Sequence, residues 1–424
     1  MLLNFRLANV LSFRDDQRLS LIATELNDGT ARPIPVREGG RPLSVLPVLG
    51  IYGANASGKS NTLAGLRLMR QAVLHSVAWI SEEKPTRRIP FALDPGCADE
   101  ASFVEIDLEL AGVRYTYGFE LDDERVHAEW LHAYPKGRRQ VWFDRDGDDI
   151  RFAGEGLRGE KQDLARKTRP DSLFLTVAAE WNNEQLLPVF EWFRDNLWLI
   201  SPEHDLPQRQ EFTKARALAD ERFREQVGRL LTRADLGIVG FDQDTLARGD
   251  VRLLHRAGDH TASLDFAHES MGTRAWFAML GPLLEAFQHG TTVLVDELDA
   301  SLHPALAAEV IRMFEDPEVN ARGAQMVFTT HDASLLRPLA GGERILDRDV
   351  VWMAEKDPRG STELYPLSSM RPPPRPNENL ERGWLLGRFG GVPRVAPGEL
   401  AREAGEALTC APTRSERSAN AAPA

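Results

Sequence analysis

The sharpest chemistry in the chain lies in eight consecutive residues, Gly53-Ala54-Asn55-Ala56-Ser57-Gly58-Lys59-Ser60. They fit G-x-x-x-x-G-K-[ST], and an apolar run (residues 47–52) precedes them while Leu63, Leu66, Met69 and Val73 follow at helical spacing. That context reads as a buried strand, a turn and a helix. Gly53 permits the tight turn, and Gly58 lets the backbone approach an anion with no Cβ in the way. Successive N–H groups at a helix start favour a polyphosphate. Lys59 would reach the terminal phosphates and Ser60 would ligate Mg2+. The plain alternative is a glycine-rich strand-to-helix turn.

Three further constellations lie downstream. Thr291-Thr-Val-Leu-Val-Asp296-Glu297 is an apolar strand ending in two carboxylates. Open α/β sheets bind ligands at that strand end. Asp296 would hold the metal, and Glu297 would orient or deprotonate an attacking water. Phe328-Thr-Thr-His331 ends another apolar strand, and its histidine could donate to a γ-phosphate or to the water. Glu269-Ser270-Met271-Gly272-Thr273 opens a helix reaching about residue 287. Ser270 there is either a plain N-cap or, with the Gly272 N–H, a second anion site.

The elements that must position these residues change period along the chain. Leu3, Phe5 and Leu7 alternate with polar neighbours, and a second strand covers residues 18–22. Val104, Ile106, Leu108 and Leu110 alternate, Ala111-Gly112 supplies a turn, and Val113, Tyr115, Tyr117 and Phe119 resume the alternation: a β-hairpin. Leu186, Phe190, Phe193 and Leu197 predict an amphipathic helix over 183–197, and Phe223, Val227, Leu230 and Leu231 mark another. The Pro- and charge-rich stretch 202–215 between them reads as a loop. Buried strands are expected at 292–295 and 325–329, a helix at 304–314, and closing strands at 350–354 and 363–367. Residues 409–424 read as a disordered tail.

In this order the four motifs resemble the ATP-binding-cassette family, in particular its soluble branch of SMC-type heads, RecF-like repair ATPases and OLD-like ATPases. Leu7-Ala-Asn-Val-Leu-Ser-Phe13-Arg14 is similar to the first strand and turn of those heads. Thr168-Arg-Pro-Asp-Ser-Leu-Phe-Leu, Ala234-Asp-Leu-Gly-Ile and Leu386-Gly-Arg-Phe-Gly extend the likeness to bacterial RloA-like ATPases over nearly the whole chain. The resemblance implies an α/β fold, an ABC/SMC-type P-loop ATPase head with an inserted β-hairpin-plus-helical subdomain. It makes residues 53–60 the Walker A loop, Ser270 and Gly272 the signature, Asp296 and Glu297 the Walker B pair, and His331 the switch histidine. It also implies ATP and Mg2+ as ligands, hydrolysis of ATP, and two heads sandwiching two nucleotides. Relatives often stand beside an effector protein in phage-defence or restriction-associated operons. The signature departs from the transporter pattern, and Leu302-His303-Pro304 stands where transporters carry an aspartate. His303 either faces a partner's site or caps the next helix. Gln185 and Gln208 are candidates for a metal-sensing glutamine, and Phe13 or Arg14 for flanking the base.

The implied organisation is an N-terminal half of the head (1–75), an inserted subdomain (76–234), a C-terminal half (235–370) and a C-terminal extension (371–424). Acidic residues outnumber basic ones, 64 to 51, for a net charge of −13, which excludes a basic chromatin-type binder. Residues 131–171 hold ten Lys/Arg against eight Asp/Glu, so they support nucleic-acid binding only weakly. No apolar run reaches the roughly 18–20 residues that span a bilayer, and the N-terminus reads as a strand. Two cysteines, Cys97 and Cys410, make neither a disulfide framework nor a zinc cluster. A cytoplasmic protein is expected. Asp347-Arg-Asp349 reads as a turn before a strand rather than a metal-binding pair. Two functions stand at this point: a dimerising ATPase switch controlling a separate effector, and a RecF-like clamp on duplex DNA.

Overall fold

The computed structural model describes residues 1–27, 29–34, 43–79, 86–154, 156–234, 237–338, 344–392 and 398–409. The chain forms two compact units, Met1–Gly391 and Val392–Ala424. In the second, the described structure is the helix Glu399–Thr409; residues 410–424 of the expected tail, and Asp235 and Leu236 of one quoted motif, lie outside the described residues.

The first unit is built on two large sheets. One has six strands in the order Leu197–Ile200, Thr292–Val295, Gln325–Thr330, Val48–Tyr52, Val351–Lys356, Thr362–Pro366. Its first five strands run parallel, and Thr362–Pro366 closes it antiparallel. Every residue of Val48–Tyr52, Thr292–Val295 and Gln325–Thr330 is buried. Helices cover both faces of such a sheet, so its central strands are continuous apolar runs with no alternation.

The other sheet has seven antiparallel strands, in the order Asp149–Arg151, Gln140–Asp146, Val126–Tyr134, Val113–Leu121, Ser102–Leu110, Leu2–Ala8, Gln17–Ser20. Its centre is the expected hairpin. Leu110 pairs with Val113 across Ala111 (φ 49°) and Gly112 (φ 79°), the two left-handed residues of a type I′ turn. The strands of the expected insertion therefore share a sheet with the first strand of the chain. Helix Lys59–His75 packs between the two sheets, and Leu63, Leu66, Met69 and Val73 join one core with Phe5, Leu7, Ile106, Leu49 and Val327. A Cβ on Gly65 would stand 2.8 Å from Leu7 Cδ1, which shows how closely the helix lies on that strand. A smaller sheet joins Ile238–Phe241, Leu253–Ala257 and His260–Leu264.

Two local expectations are corrected. Residues 202–215 are not a loop but most of an 18-residue helix, Pro202–Ala219. Pro202 sits in the first turn, where its missing N–H costs nothing. Thr213 and Ala217 are wholly buried. A Cβ on Gly281 of helix Met271–His289 would stand 2.2 Å from Thr213 Oγ1, so packing against a glycine overrides a weak sequence pattern. The helix expected over 183–197 is shorter, Leu187–Asp195. Leu197 instead opens the edge strand Leu197–Ile200.

Candidate nucleotide site

The glycine-rich loop leaves strand Val48–Tyr52 and enters helix Lys59–His75. A Cβ at Gly53 would stand 2.4 Å from Ala354 O and 2.5 Å from Ser57 Oγ, so only glycine fits. Gly58 has φ 104°, and a Cβ there would meet Thr362 Oγ1 at 2.1 Å and Ser12 Oγ at 2.8 Å. Those two residues brace the loop from behind. Thr362 Oγ1 donates to Ser57 O (2.9 Å) or Ser12 Oγ (2.8 Å), and Thr362 N donates to Ser12 O (2.7 Å). Gly58 is the helix N-cap and offers no side chain to the first turn, which leaves that turn's N–H groups to an anion.

Lys59 Nζ donates to Gly53 O (2.8 Å) and Ala54 O (3.0 Å), placing its charge within the loop. Burial lowers its pKa, while the negative charges of Glu297, Asp299 and Asp296 oppose that shift. The parallel register brings the acidic pair to the same edge: Val295 lies beside Phe328, and Thr330 beside Tyr52. Ser60 Oγ donates to Asp296 Oδ1 at 2.8 Å, across 236 residues of chain. Thr329 Oγ1 donates to the same oxygen at 2.6 Å and accepts from Glu297 N at 2.8 Å. Glu297 is held at φ 49°, a left-handed conformation that is unusual for a non-glycine residue and clusters at functional sites. His331 lies just past the next strand's end, its Nδ1 3.1 Å from Asp299 Oδ2.

Residues 53–60, Asp296, Glu297 and His331 therefore converge on one sheet edge. The Ser60 hydroxyl and Asp296 carboxylate form an all-oxygen donor set that suits a hard cation such as Mg2+. Among the described residues no group of three or more His, Cys, Asp or Glu could hold a metal. A cation here would complete its shell with phosphate oxygens and water, the usual arrangement for Mg2+.

Ser270 and Gly272 stand elsewhere, at the exposed N-terminus of helix Met271–His289. Ser270 Oγ caps that helix, accepting from Thr273 N at 3.1 Å. The helix turns back through Gly290 into Thr292–Val295. Met271, beside Ser270, is 64% exposed.

His303 caps helix Pro304–Glu315, its Nδ1 accepting from Ala305 N. Phe13 is wholly buried, and Arg14 is engaged by Asp94 and Asp15. Gln185 is held by Arg158 N and Gly156 O, and Gln208 is exposed. Asp347 and Asp349 accept hydrogen bonds from Thr30 and Thr24, fastening the N-terminal loop rather than gathering a metal. Sequence reasoning missed Ser12, Thr362, Asp299, Thr329 and Thr330. Ser12, Thr329 and Thr330 stand inside stretches quoted without a role for them and Asp299 lies two residues past Glu297, whereas Thr362 gave no signal beyond polarity.

Residues 48–337 match the family described as "AAA domain, putative AbiEii toxin, Type IV TA system". The chain belongs to this AAA family. The match begins with strand Val48–Tyr52, ends just past His331 and covers about two thirds of the chain. Membership makes the protein a P-loop ATPase. No curated protein matches. Among solved structures, the SMC head domain from Thermotoga maritima is similar at 13% identity and a TM-score of 0.38, covering 86% of this chain and 98% of its own. An SMC head bound to the C-winged helix domain of ScpA gives 14% and 0.47, covering 88% and 98%. A head domain with an extended coiled coil from Pyrococcus furiosus gives 13% and 0.40, covering 91% and 98%. These overlaps are loose, and the assignment rests on the sequence match. Among the described residues, no helix of this AAA protein is long and apolar enough to cross a membrane.

Proposed function

We propose that this AAA protein binds Mg2+-ATP at the loop of residues 53–60, hydrolyses it, and works as a dimerising switch in the manner of RloA-like ATPases. The observation that carries the reading is the convergence of Ser60, Asp296 and Thr329 within hydrogen-bond distance beside the Lys59 charge. Loop N–H groups and Lys59 bind the phosphates. Ser60 and Asp296 hold Mg2+, which when bound offsets charge on the phosphate chain. Glu297 orients the attacking water and accepts its proton. His331 donates to the γ-phosphate or to that water.

The position of Ser270 and Gly272 supports a site shared between two copies. They lie on an exposed helix start with Met271 bare beside them. One copy's signature would meet the nucleotide held by the other, so hydrolysis would loosen the pair. Such a switch acts through the difference in ATP affinity between the two states. A separate effector in phage defence or a restriction-associated system is the setting we favour. The family description, which names an AbiEii toxin and a Type IV TA system, supports a defence setting.

Lys59→Ala tests the core of the reading. Titration with a fluorescent ATP analogue is expected to show binding to the wild-type chain and loss of at least tenfold in affinity for the variant. Equal affinity would remove Lys59 from phosphate binding.

A further inference from the structure

The motif Leu386-Gly-Arg-Phe-Gly ends one residue short of Gly391, and the structure sets Gly391 against the first glycine of the phosphate loop. A Cβ on Gly391 (φ 64°) would stand 3.3 Å from Gly53 Cα and 3.5 Å from Ala354 O. Gly53 lies against the same carbonyl, so two glycines meet there with no side chain between them. Trp384, buried on the short helix Leu380–Leu385, packs edge-on against Tyr52, with 5.4 Å between ring centroids. Tyr52 is the strand residue that delivers Gly53.

The segment that makes these contacts is itself pinned. The wholly buried Phe389 folds back on Gly383, where a Cβ would stand 2.5 Å from Phe389 Cε2. Tyr365 Oη donates to Phe389 O (3.1 Å) or to Glu355 Oε2 (3.0 Å). Glu381, on the helix of Trp384, accepts from Arg337 Nε at 3.0 Å and Nη2 at 2.9 Å. Arg337 ends the short 3-10 helix Ala333–Leu336 that follows His331. The segment therefore touches the chain just beyond two motifs of the nucleotide site.

We propose that Trp384 and Gly391 are positioning residues for ATP, holding the start of the phosphate loop where its carbonyls take the Lys59 ammonium. The inference deepens the ATPase reading above and rests on it. Tyr52 is the last residue of its strand in register with Thr330 and Met353, so Gly53 begins the loop beyond the sheet and takes its place from what packs on it. Gly53 O accepts from Lys59 Nζ at 2.8 Å, so a shift of Gly53 moves the charge assigned to the phosphates. Close-packed interiors transmit such shifts, and a misplacement of about 1 Å can cost about a hundredfold in rate.

Steady-state ATP hydrolysis by the full-length chain tests this through KM. Gly391→Val is expected to raise KM about fivefold or more and to weaken binding of a fluorescent ATP analogue equally. Gly398→Ala controls for backbone strain alone: its φ is 79° and nothing among the described residues lies within 4 Å of the added Cβ, so its KM should match the wild type. A merely structural role would shrink the folded, active fraction and lower the apparent turnover number, leaving KM and affinity unchanged. That result overturns the proposal, and so does an equal rise of KM in Gly398→Ala. Should Gly391→Val fail to fold, Trp384→Ala takes its place with the same expectations, and Trp384→Phe, which keeps a ring against Tyr52, should restore most of the wild-type KM. Wild-type KM in Trp384→Ala overturns the role of Trp384. Failure of the wild-type chain to bind ATP would sink the nucleotide reading, and this inference with it; binding by the wild type with unchanged KM in the variants sinks this inference alone.

Discussion

Gly58 concentrates two separable costs in one position, which makes Gly58→Ala an informative perturbation. An alanine there must hold φ 104°, well outside the narrow left-handed well. That strain costs about 1–3 kcal/mol. Its Cβ would also stand 2.1 Å from Thr362 Oγ1 and 2.8 Å from Thr362 Cγ2. Relieving such overpacking costs a further 1–3 kcal/mol or so. Thr362→Ala alone removes the hydroxyl that can donate to Ser57 O, a loss of about 1–3 kcal/mol for a buried carbonyl left unpaired. Combined, the two changes should not add. The threonine whose atoms clash is gone, so the double variant should be about 1–3 kcal/mol more stable than the sum of the singles. Chemical denaturation of the four proteins measures this coupling. ATP affinity should follow: at 1.4 kcal/mol per tenfold, Gly58→Ala should weaken binding tenfold or more, with partial recovery in the double variant. Additivity within about 0.5 kcal/mol would refute the idea that Thr362 sets the space behind the loop.

Glu297→Gln should still bind ATP but hydrolyse it at least a hundredfold more slowly and accumulate as a dimer in size-exclusion chromatography; hydrolysis at the normal rate would dismiss Glu297 as the base. Mixing Lys59→Ala with Ser270→Glu, each inactive alone, should restore part of the ATPase activity, because a mixed pair has one composite site intact. No recovery at any ratio would place Ser270 outside the site. Burial, reinforced by Asp347, pushes the Glu315 carboxyl up to about 8 against the opposing charges of Arg312 and Arg32. The folded state then keeps a proton that the unfolded chain releases near pH 4.5, so stability falls as pH rises from about 5 to about 8. Glu315→Gln should flatten that decline in denaturation midpoints measured across the range, and an unchanged profile would exonerate Glu315.

Much of the site was legible because its chemistry is contiguous. The phosphate loop, the acidic pair and the histidine each follow an apolar run, and a strand buried on both faces must be such a run. The hairpin at 102–121 was legible for the opposite reason, a period-two alternation broken by Ala111-Gly112. Long-range contacts were not. Ser12, in the turn before strand Gln17–Ser20, and Thr362 stand 350 residues apart in sequence and are brought together as Thr362–Pro366 lies beside Gln17–Ser20. Helix Pro202–Ala219 was missed because its buried face carries Arg209, Gln210 and Thr213 as well as Ala217. Polar residues packed against a glycine leave no apolar stripe to read.

The strained conformation of Glu297 follows from the same long-range design. An extended residue after Val295 would carry the chain on along the strand direction and away from the loop. The left-handed turn at φ 49° reverses it at once, allowing Leu298 to bury and Asp299 to reach Thr330 and His331. Such a conformation costs on the order of 1–3 kcal/mol unless neighbours over-determine it. Here one hydroxyl does much of that. Thr329 Oγ1 accepts from Glu297 N while donating to Asp296 Oδ1, so the acid assigned to the metal and the backbone of the acid assigned to the water share a single support. A charge-assisted hydrogen bond of this kind contributes about 1.5–3 kcal/mol, comparable to the strain it offsets. The Asp296 side chain and the Glu297 backbone are thus tied to one residue of the strand that ends just before His331.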